Sequence, residues 1–327
     1  MPQLKRSPDP TAWTIHLRWV AVPMILTGLL STRSMAQQPG QKTYGSPEEA
    51  GLALVTAAQK NDGKALLEIF GPDGKHIVSS GDETEDAIDR VNFVEKYNEM
   101  HRLVKEPDGT TTLYIGAKNW PTPIPLIEKG GAWFFDTQAG EKEILYRRIG
   151  QNETSAFGVC QDLVTAQQAY FSLRHGEFAQ AIFSAEGKRN GLYWKSVPGE
   201  AQSPLGALVA EELAKGYTGH QGGVLTPYCG YYFRILTRQG KHAQGGAISY
   251  LANGRMTKGF AILAYPAEYR SSGVMTFIMD RQGEVFQKDL GKRTVVIAKA
   301  MKEYNPGSGW QKAEVRPEEP VSEKTPQ

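Results

Sequence analysis

The chain has 327 residues, 40% hydrophobic and 22% charged, with 35 Gly and 19 Pro, a globular composition long enough for one large or two modest domains. General disorder, collagen-like repeats and disulfide-dense scaffolds are excluded. The net charge of +2 belongs to the N-terminus, where Lys5, Arg6, Arg18 and Arg33 against Asp9 give the first 36 residues +3 and leave the rest at −1. That near-neutral body carries no overall electrostatic footprint for nucleic acid or for an anionic membrane surface.

In chain order, the first element is an address label. Lys5, Arg6 and Arg18 form a basic n-region and Trp19–Leu30 a 12-residue apolar stretch. Ser34-Met35-Ala36 then places small residues before a cut at Gln37. The apolar run is shorter than the roughly 20 residues that span a bilayer, and Pro23 interrupts it. No later segment reaches spanning length. Residues 1–36 read as a signal peptide, with retention as an uncleaved anchor as the alternative. The expected product is periplasmic or secreted, with no membrane span after cleavage. In such a compartment Cys160 and Cys229, the only two cysteines, read as a disulfide. Closing that loop of about 70 residues is worth roughly 4 kcal/mol in the chain-entropy model. Two buried free thiols are the alternative.

Ser46-Pro47-Glu48-Glu49 is a helix start, with Ser as cap, Pro at the first position and Glu three residues after the cap. That helix breaks at Asn61-Asp62-Gly63, and a short one carrying Leu66, Leu67 and Phe70 stops at Gly71. The spacing of Ile88, Val91, Val94, Tyr97, His101 and Val104 predicts a helix over Glu83–Val104 that buries this stripe, with His101 as a core histidine. Strands follow at Thr111–Ala117, Ile124–Glu128 and Ala132–Asp136. Lys129-Gly130-Gly131 marks a hairpin, and Pro121, Pro123 and Pro125 an irregular edge. Thr137–Asn152 is again helical.

A second unit is expected from Glu153, opening on an amphipathic stripe of Val159, Leu163, Ala166 and Tyr170. Phe178–Ala214 reads as a long connection leading into a short helix at Leu205–Lys215. Strands are predicted at Tyr231–Thr237, Phe260–Tyr265, Val274–Met279 and Val285–Lys288, the last two joined as an antiparallel hairpin. A final helix, Thr294–Glu303, ends before Asn305-Pro306-Gly307. The architecture is therefore α+β in two units, 37–152 and 153–312, followed by a disordered tail over 313–327.

Several blocks stand in order along the chain. Trp133-Phe134-Phe135-Asp136 and Arg147-Arg148-Ile149-Gly150 come first, then Gly191-Leu192-Tyr193-Trp194 and Ser203-Pro204-Leu205-Gly206. Gly230-Tyr231-Tyr232-Phe233-Arg234-Ile235-Leu236 and Asn253-Gly254-Arg255-Met256 follow. Tyr265-Pro266-Ala267-Glu268-Tyr269, Gly273-Val274-Met275-Thr276-Phe277 and Lys288-Asp289-Leu290-Gly291 complete the series. It resembles the bacterial domain-of-unknown-function 2950 family over nearly the whole exported chain. The resemblance implies kinship and brings no reaction with it. The second half is also similar to the globular domains of type II secretion pseudopilins, which implies a helix over an antiparallel sheet. This chain departs from them in lacking their special leader and long apolar helix.

Chemistry-bearing motifs are few. No nucleophile elbow, phosphate loop, dinucleotide fingerprint or zinc-protease motif occurs, and His76, His101, His175, His220 and His242 are not spaced as metal ligands. No metal or cofactor is expected. Asp280-Arg281-Gln282-Gly283 reads as a hairpin turn rather than a calcium loop. Glu268, Asp280 and Asp289 are the carboxylates available for acid–base hydrolysis. Aromatics with nearby arginines make the candidate binding set: Trp194, Tyr228, Tyr232, Arg234, Arg255 and Tyr269. The leading expectation is a non-enzymatic envelope binding or assembly protein, with an envelope protein or cell-wall glycan as partner. A periplasmic hydrolase using a carboxylate pair is the alternative.

Overall fold

The computed structural model describes residues 37–195, 202–206 and 227–313. The expected signal peptide, most of the helix expected at Leu205–Lys215 and the tail from Glu314 lie outside the described residues. The fold is α+β, and the chain divides into two units between Arg147 and Arg148.

In the N-terminal unit, α1 (Pro47–Gln59) starts where Ser46 Oγ accepts from the Glu49 N–H at 3.2 Å. Glu49 reaches back to the Gly45 N–H at 2.9 Å, one residue beyond the usual capping box. Asn61 takes a left-handed φ of 51° and turns the chain into α2 (Gly63–Phe70), capped by Asp62. A single turn, α3 (Lys75–Val78), leads to α4 (Glu83–Glu99). Strands β1 (His101–Lys105), β2 (Thr111–Ile115), β3 (Trp120–Pro121), β4 (Leu126–Lys129) and β5 (Ala132–Phe135) form an antiparallel sheet ordered β1-β2-β4-β5, with β3 pairing β2. Gly130 and Gly131, at φ 63° and 80°, supply the two left-handed residues that a two-residue hairpin between β4 and β5 demands. Leu54, Leu66, Phe70, Leu113, Leu126 and Phe135 share this unit's core.

Two expectations for this unit are corrected. The predicted helix ends at Glu99, and His101–Lys105 pairs with β2 as a strand. Its buried face is also different: Ile88 and Val91 are 56% and 57% exposed, whereas Phe93 and Tyr97 pack against the core. The true face runs Asp86, Arg90, Phe93, Tyr97, a four-three-four spacing that a 3.6-residue period favours over steps of three. His101 is exposed, with its ring stacked on Tyr97 at 3.9 Å.

The C-terminal unit begins inside α5 (Thr137–Leu173), one continuous helix where two separate helices are predicted. The expected stripe is buried: Val159, Leu163, Ala166 and Tyr170 belong to a core with Phe233, Ile262, Leu263 and Ile278. Strands β6 (Ala181–Phe183) and β7 (Gly191–Tyr193) pair parallel, whereas the other strand pairs of this unit among the described residues are antiparallel. The expected connection at Phe178–Ala214 thus helps build the core, because Phe178, Ile182, Leu192, Trp194 and Leu205 are all buried.

Strands β8 (Tyr231–Leu236), β13 (Ala261–Pro266), β14 (Met275–Asp280), β15 (Val285–Asp289) and β16 (Gln311–Lys312) form the main sheet, ordered β16-β15-β14-β13-β8 and antiparallel throughout. Two short pairs branch from it, β9 (Arg238–Gln239) with β10 (Ile248–Ser249), and β11 (Leu251–Ala252) with β12 (Arg255–Met256). The predicted hairpin is present, with Met279 opposite Val285. Helix α6 (Thr294–Ala300) packs over β13, whose six residues are all buried.

Candidate functional site

Within the predicted binding set, Trp194 is buried, Tyr228, Tyr232, Arg234 and Tyr269 are half-buried and Arg255 is exposed. Trp194 is 7% exposed and belongs to the core. Tyr228 and Tyr231 bracket a tight turn with paired backbone hydrogen bonds of 3.0 and 2.9 Å. Tyr232 packs on Tyr265 with ring centres 5.5 Å apart. Arg234 is a structural cap, since its guanidinium donates to the carbonyls of Ala298 and Lys299 at 2.9 and 3.0 Å, at the C-terminal end of α6 where a cation suits the helix dipole. Arg255 pairs with Glu177 at 3.0 Å, and the Tyr269 hydroxyl donates to Asp289 at 3.0 Å.

Of the three candidate carboxylates, Asp280 and Asp289 stand apart. Asp289 lies opposite Met275 at one end of β14, and Asp280 ends the same strand. Five steps of an extended strand separate those positions by about 17 Å, beyond the roughly 5–9.5 Å used by glycosidase pairs. Asp280 accepts from the N–H groups of Gln282 and Glu284 at 2.9 and 3.0 Å, so it shapes the hairpin as the turn reading expects. Glu268 is exposed in the loop after β13.

The two cysteines expected to pair sit in different settings, Cys160 buried and Cys229 half-buried. Cys160 is enclosed in the core, and its burial pushes the thiol up, which keeps it protonated and inert. Cys229 takes a left-handed φ of 46° in the turn before Gly230, itself at 71°. That pair of positive angles makes the turn tight and holds the Cys229 backbone in a conformation that favours Gly or Asn.

A part-buried polar junction lies where α5 meets the start of β14. Glu153 Oε1 accepts from the N–H groups of Val274 and Met275 at 2.9 and 3.0 Å. Asn152 donates to the Ser272 carbonyl at 2.8 Å. The Tyr231 hydroxyl donates to the Met275 carbonyl at 2.8 Å. Burial pushes Glu153 above the usual carboxylate range, outweighing two N–H bonds that favour its charged form, and Asp289 adds to the rise. Burial beside Glu153 raises the Tyr231 phenol too. A Cβ on Gly230 would come within 2.7 Å of the Asn152 side chain, so only glycine lets the turn approach the helix this closely. Asn152, Glu153 and Tyr231 thus all bond the backbone of 272–275, which makes the junction a clamp.

Two further pockets open on the surface, one in each unit. In the C-terminal unit a groove of about 380 Å³ is lined by Arg238, Met301, Lys302, Glu303, Asn305 and Trp310. Its floor is fixed, because Tyr304 N–H donates to Arg238 O at 3.0 Å and Gly240 N–H to Tyr304 O at 2.8 Å. Arg238 and Glu303 stand 3.6 Å apart as an ion pair, and Asn305 Oδ1 accepts from the His242 N–H at 2.9 Å. Half-buried Trp310 thus shares the groove with an ion pair and an amide. In the N-terminal unit a pocket of about 460 Å³ includes Asn61, Lys75, Ser79, Asp86 and Arg90. Asp86 accepts from Ser79 Oγ at 2.6 Å and from Ser80 N–H and Oγ at 2.7 and 2.8 Å, bonds that hold its carboxyl below the usual range. Among the described residues, no cluster of His, Cys, Asp or Glu is arranged to hold a metal ion.

The family model described as protein of unknown function, DUF2950, matches residues 41–313, a span that takes in every sequence block singled out above. The chain belongs to this family. No curated protein and no solved structure matches it. The family blocks map to structural tasks: Gly230–Leu236 forms a turn and a core strand, and Gly273–Phe277 carries the strand that Glu153 clamps. The groove at Trp310 escaped sequence reasoning because its walls come from Arg238 and from 300–310. The available signal was an isolated Trp beyond the Asn305-Pro306-Gly307 turn, just before the chain loses its globular composition.

Proposed function

We propose that this chain is an exported, non-enzymatic envelope protein that binds cell-wall glycan through the Trp310 groove of its C-terminal unit. The carrying observation is the combination in that groove of an aromatic side chain with the Arg238–Glu303 pair and Asn305. An indole offers an apolar surface that a sugar ring can cover, while a guanidinium, a carboxylate and an amide together donate to and accept from ring hydroxyls. The wide separation of Asp280 from Asp289, and their use as backbone caps, favours binding over carboxylate-pair hydrolysis.

The test pairs a pull-down on cell-wall fragments with a turnover screen on the same fragments. Wild-type protein is expected to retain glycan, and Trp310→Ala to lose at least tenfold in affinity, without release of reducing ends by either. Turnover that Asp280→Asn or Asp289→Asn abolishes would establish the hydrolase instead. Export itself predicts an N-terminus at Gln37 on protein recovered from the envelope; sequencing that finds Met1 or Pro2 there would overturn it.

A further inference from the structure

Helix α6 has two faces with opposite characters. Thr294 and Ala298 are buried against the sheet, with Val295 and Met301 half-buried beside them. On the outer face, Val296 is 58% exposed and Ile297 39% exposed. Two rows run across that face from the 3₁₀ turn Gly291–Arg293 that leads into α6: Lys292, Val296 and Lys299 in one, and Arg293 and Ile297 in the other. The four basic side chains along this stretch, those three and Lys302, are all exposed. Among the described residues none of the four makes an ion pair. The nearest acidic groups in sequence are already engaged, Asp289 with Tyr269 and Gly291 N–H and Glu303 with Arg238.

We infer that the outer face of α6 docks on an anionic lipid surface. A chain near neutrality outside its first 36 residues has here concentrated four unpaired cations around two exposed β-branched apolar side chains. Unpaired surface cations on a folded domain need no lipid, and single exposed apolar residues are ordinary. Their interleaving on one face is the pattern of an interfacial helix: the apolar pair enters the headgroup boundary while the cations meet anionic headgroups. Arg234 fastens the last turn of α6 from below, so the face is presented by a rigid element. The contact is peripheral and reversible, because among the described residues no helix is long and apolar enough to cross a membrane. The inference stands apart from the glycan reading, since the outer face and the Trp310 groove use different side chains apart from Lys302.

The test is vesicle co-sedimentation of the purified chain and its variants side by side, so that residues 1–36, common to all, cancel. Vesicles of phosphatidylcholine with and without phosphatidylglycerol serve as probes. Binding is expected only with phosphatidylglycerol and is expected to weaken as salt rises. Lys292→Gln/Lys299→Gln should bind about fivefold more weakly per charge removed. Val296→Ser/Ile297→Ser should lose the binding that survives at high salt. All four positions are exposed, so circular dichroism and the thermal midpoint should match wild type. Equal binding to both vesicle types, or unchanged binding by both double variants, overturns the inference. Loss of glycan retention by Trp310→Ala with vesicle binding intact would separate the two sites.

Discussion

At the scale of single residues, the polar side chains of the C-terminal unit hold backbone together. Glu153 is the strongest case, and its sign is informative. A carboxyl raised by burial contributes stability that is complete below its unfolded value of about 4.3 and is lost as pH rises through its folded value. Glu153→Gln keeps an acceptor for the Val274 and Met275 N–H groups and removes the charge. The denaturation midpoint of wild type relative to this variant should therefore fall with rising pH through the range above 4.3. Parallel pH profiles would show that Glu153 stays charged without cost. The cysteines offer a second check at this scale. Cys160 is enclosed in the core, so titration of unfolded, unreduced protein should find two thiols per chain, with Cys160 reacting only after unfolding. A finding of none would establish the disulfide.

At the scale of elements, the periodic and locally punctuated parts of the chain were legible. The α1 cap, the Gly130-Gly131 hairpin, the Val159–Tyr170 stripe and the Val274–Lys288 hairpin depend on residues within a few positions of one another. What was not legible depends on partners far along the chain. Asp86 and Arg90 lie on the packed face of α4 because Ser79, Ser80 and Asn61 meet their polar ends, so hydrophobicity alone chose the wrong stripe. Phe178, Ile182, Leu192, Trp194 and Leu205 enter the core as isolated apolar residues without a period. The Trp310 groove is assembled by pairing between 238–240 and 304, which no local pattern signals. Continuity of α5 was also hidden, since Gly150, Asn152 and Gly158 weaken helix propensity where the helix nevertheless persists. That weakness predicts a gain. A methyl added at Gly158 meets nothing within 4 Å, so Gly158→Ala should stabilise the C-terminal unit by about 1 kcal/mol, read as a higher denaturant midpoint with unchanged slope. A lower midpoint would mean that this turn of α5 departs from regular helix.

At the scale of the whole molecule, the two units carry separate cores with no residue in common, one built around Leu113, Leu126 and Phe135 and the other around Phe233, Leu263 and Ile278. The chain passes from one unit to the other within α5, at Arg147–Arg148. A unit with its own core is a candidate for its own cooperative transition, and calorimetry on the intact chain can assign each. Leu126 and Leu263 are both wholly buried, so truncation to Ala should cost about 2–5 kcal/mol at either site. Leu126→Ala should move one transition downward and leave the other in place, and Leu263→Ala should do the converse. Trp310→Ala, on the edge of the C-terminal core, should follow Leu263→Ala in direction. A single transition lowered alike by Leu126→Ala and Leu263→Ala would mean that the shared helix binds the two cores into one cooperative unit. Heating would then open the Trp310 groove and the α6 face in the same step that melts the N-terminal sheet.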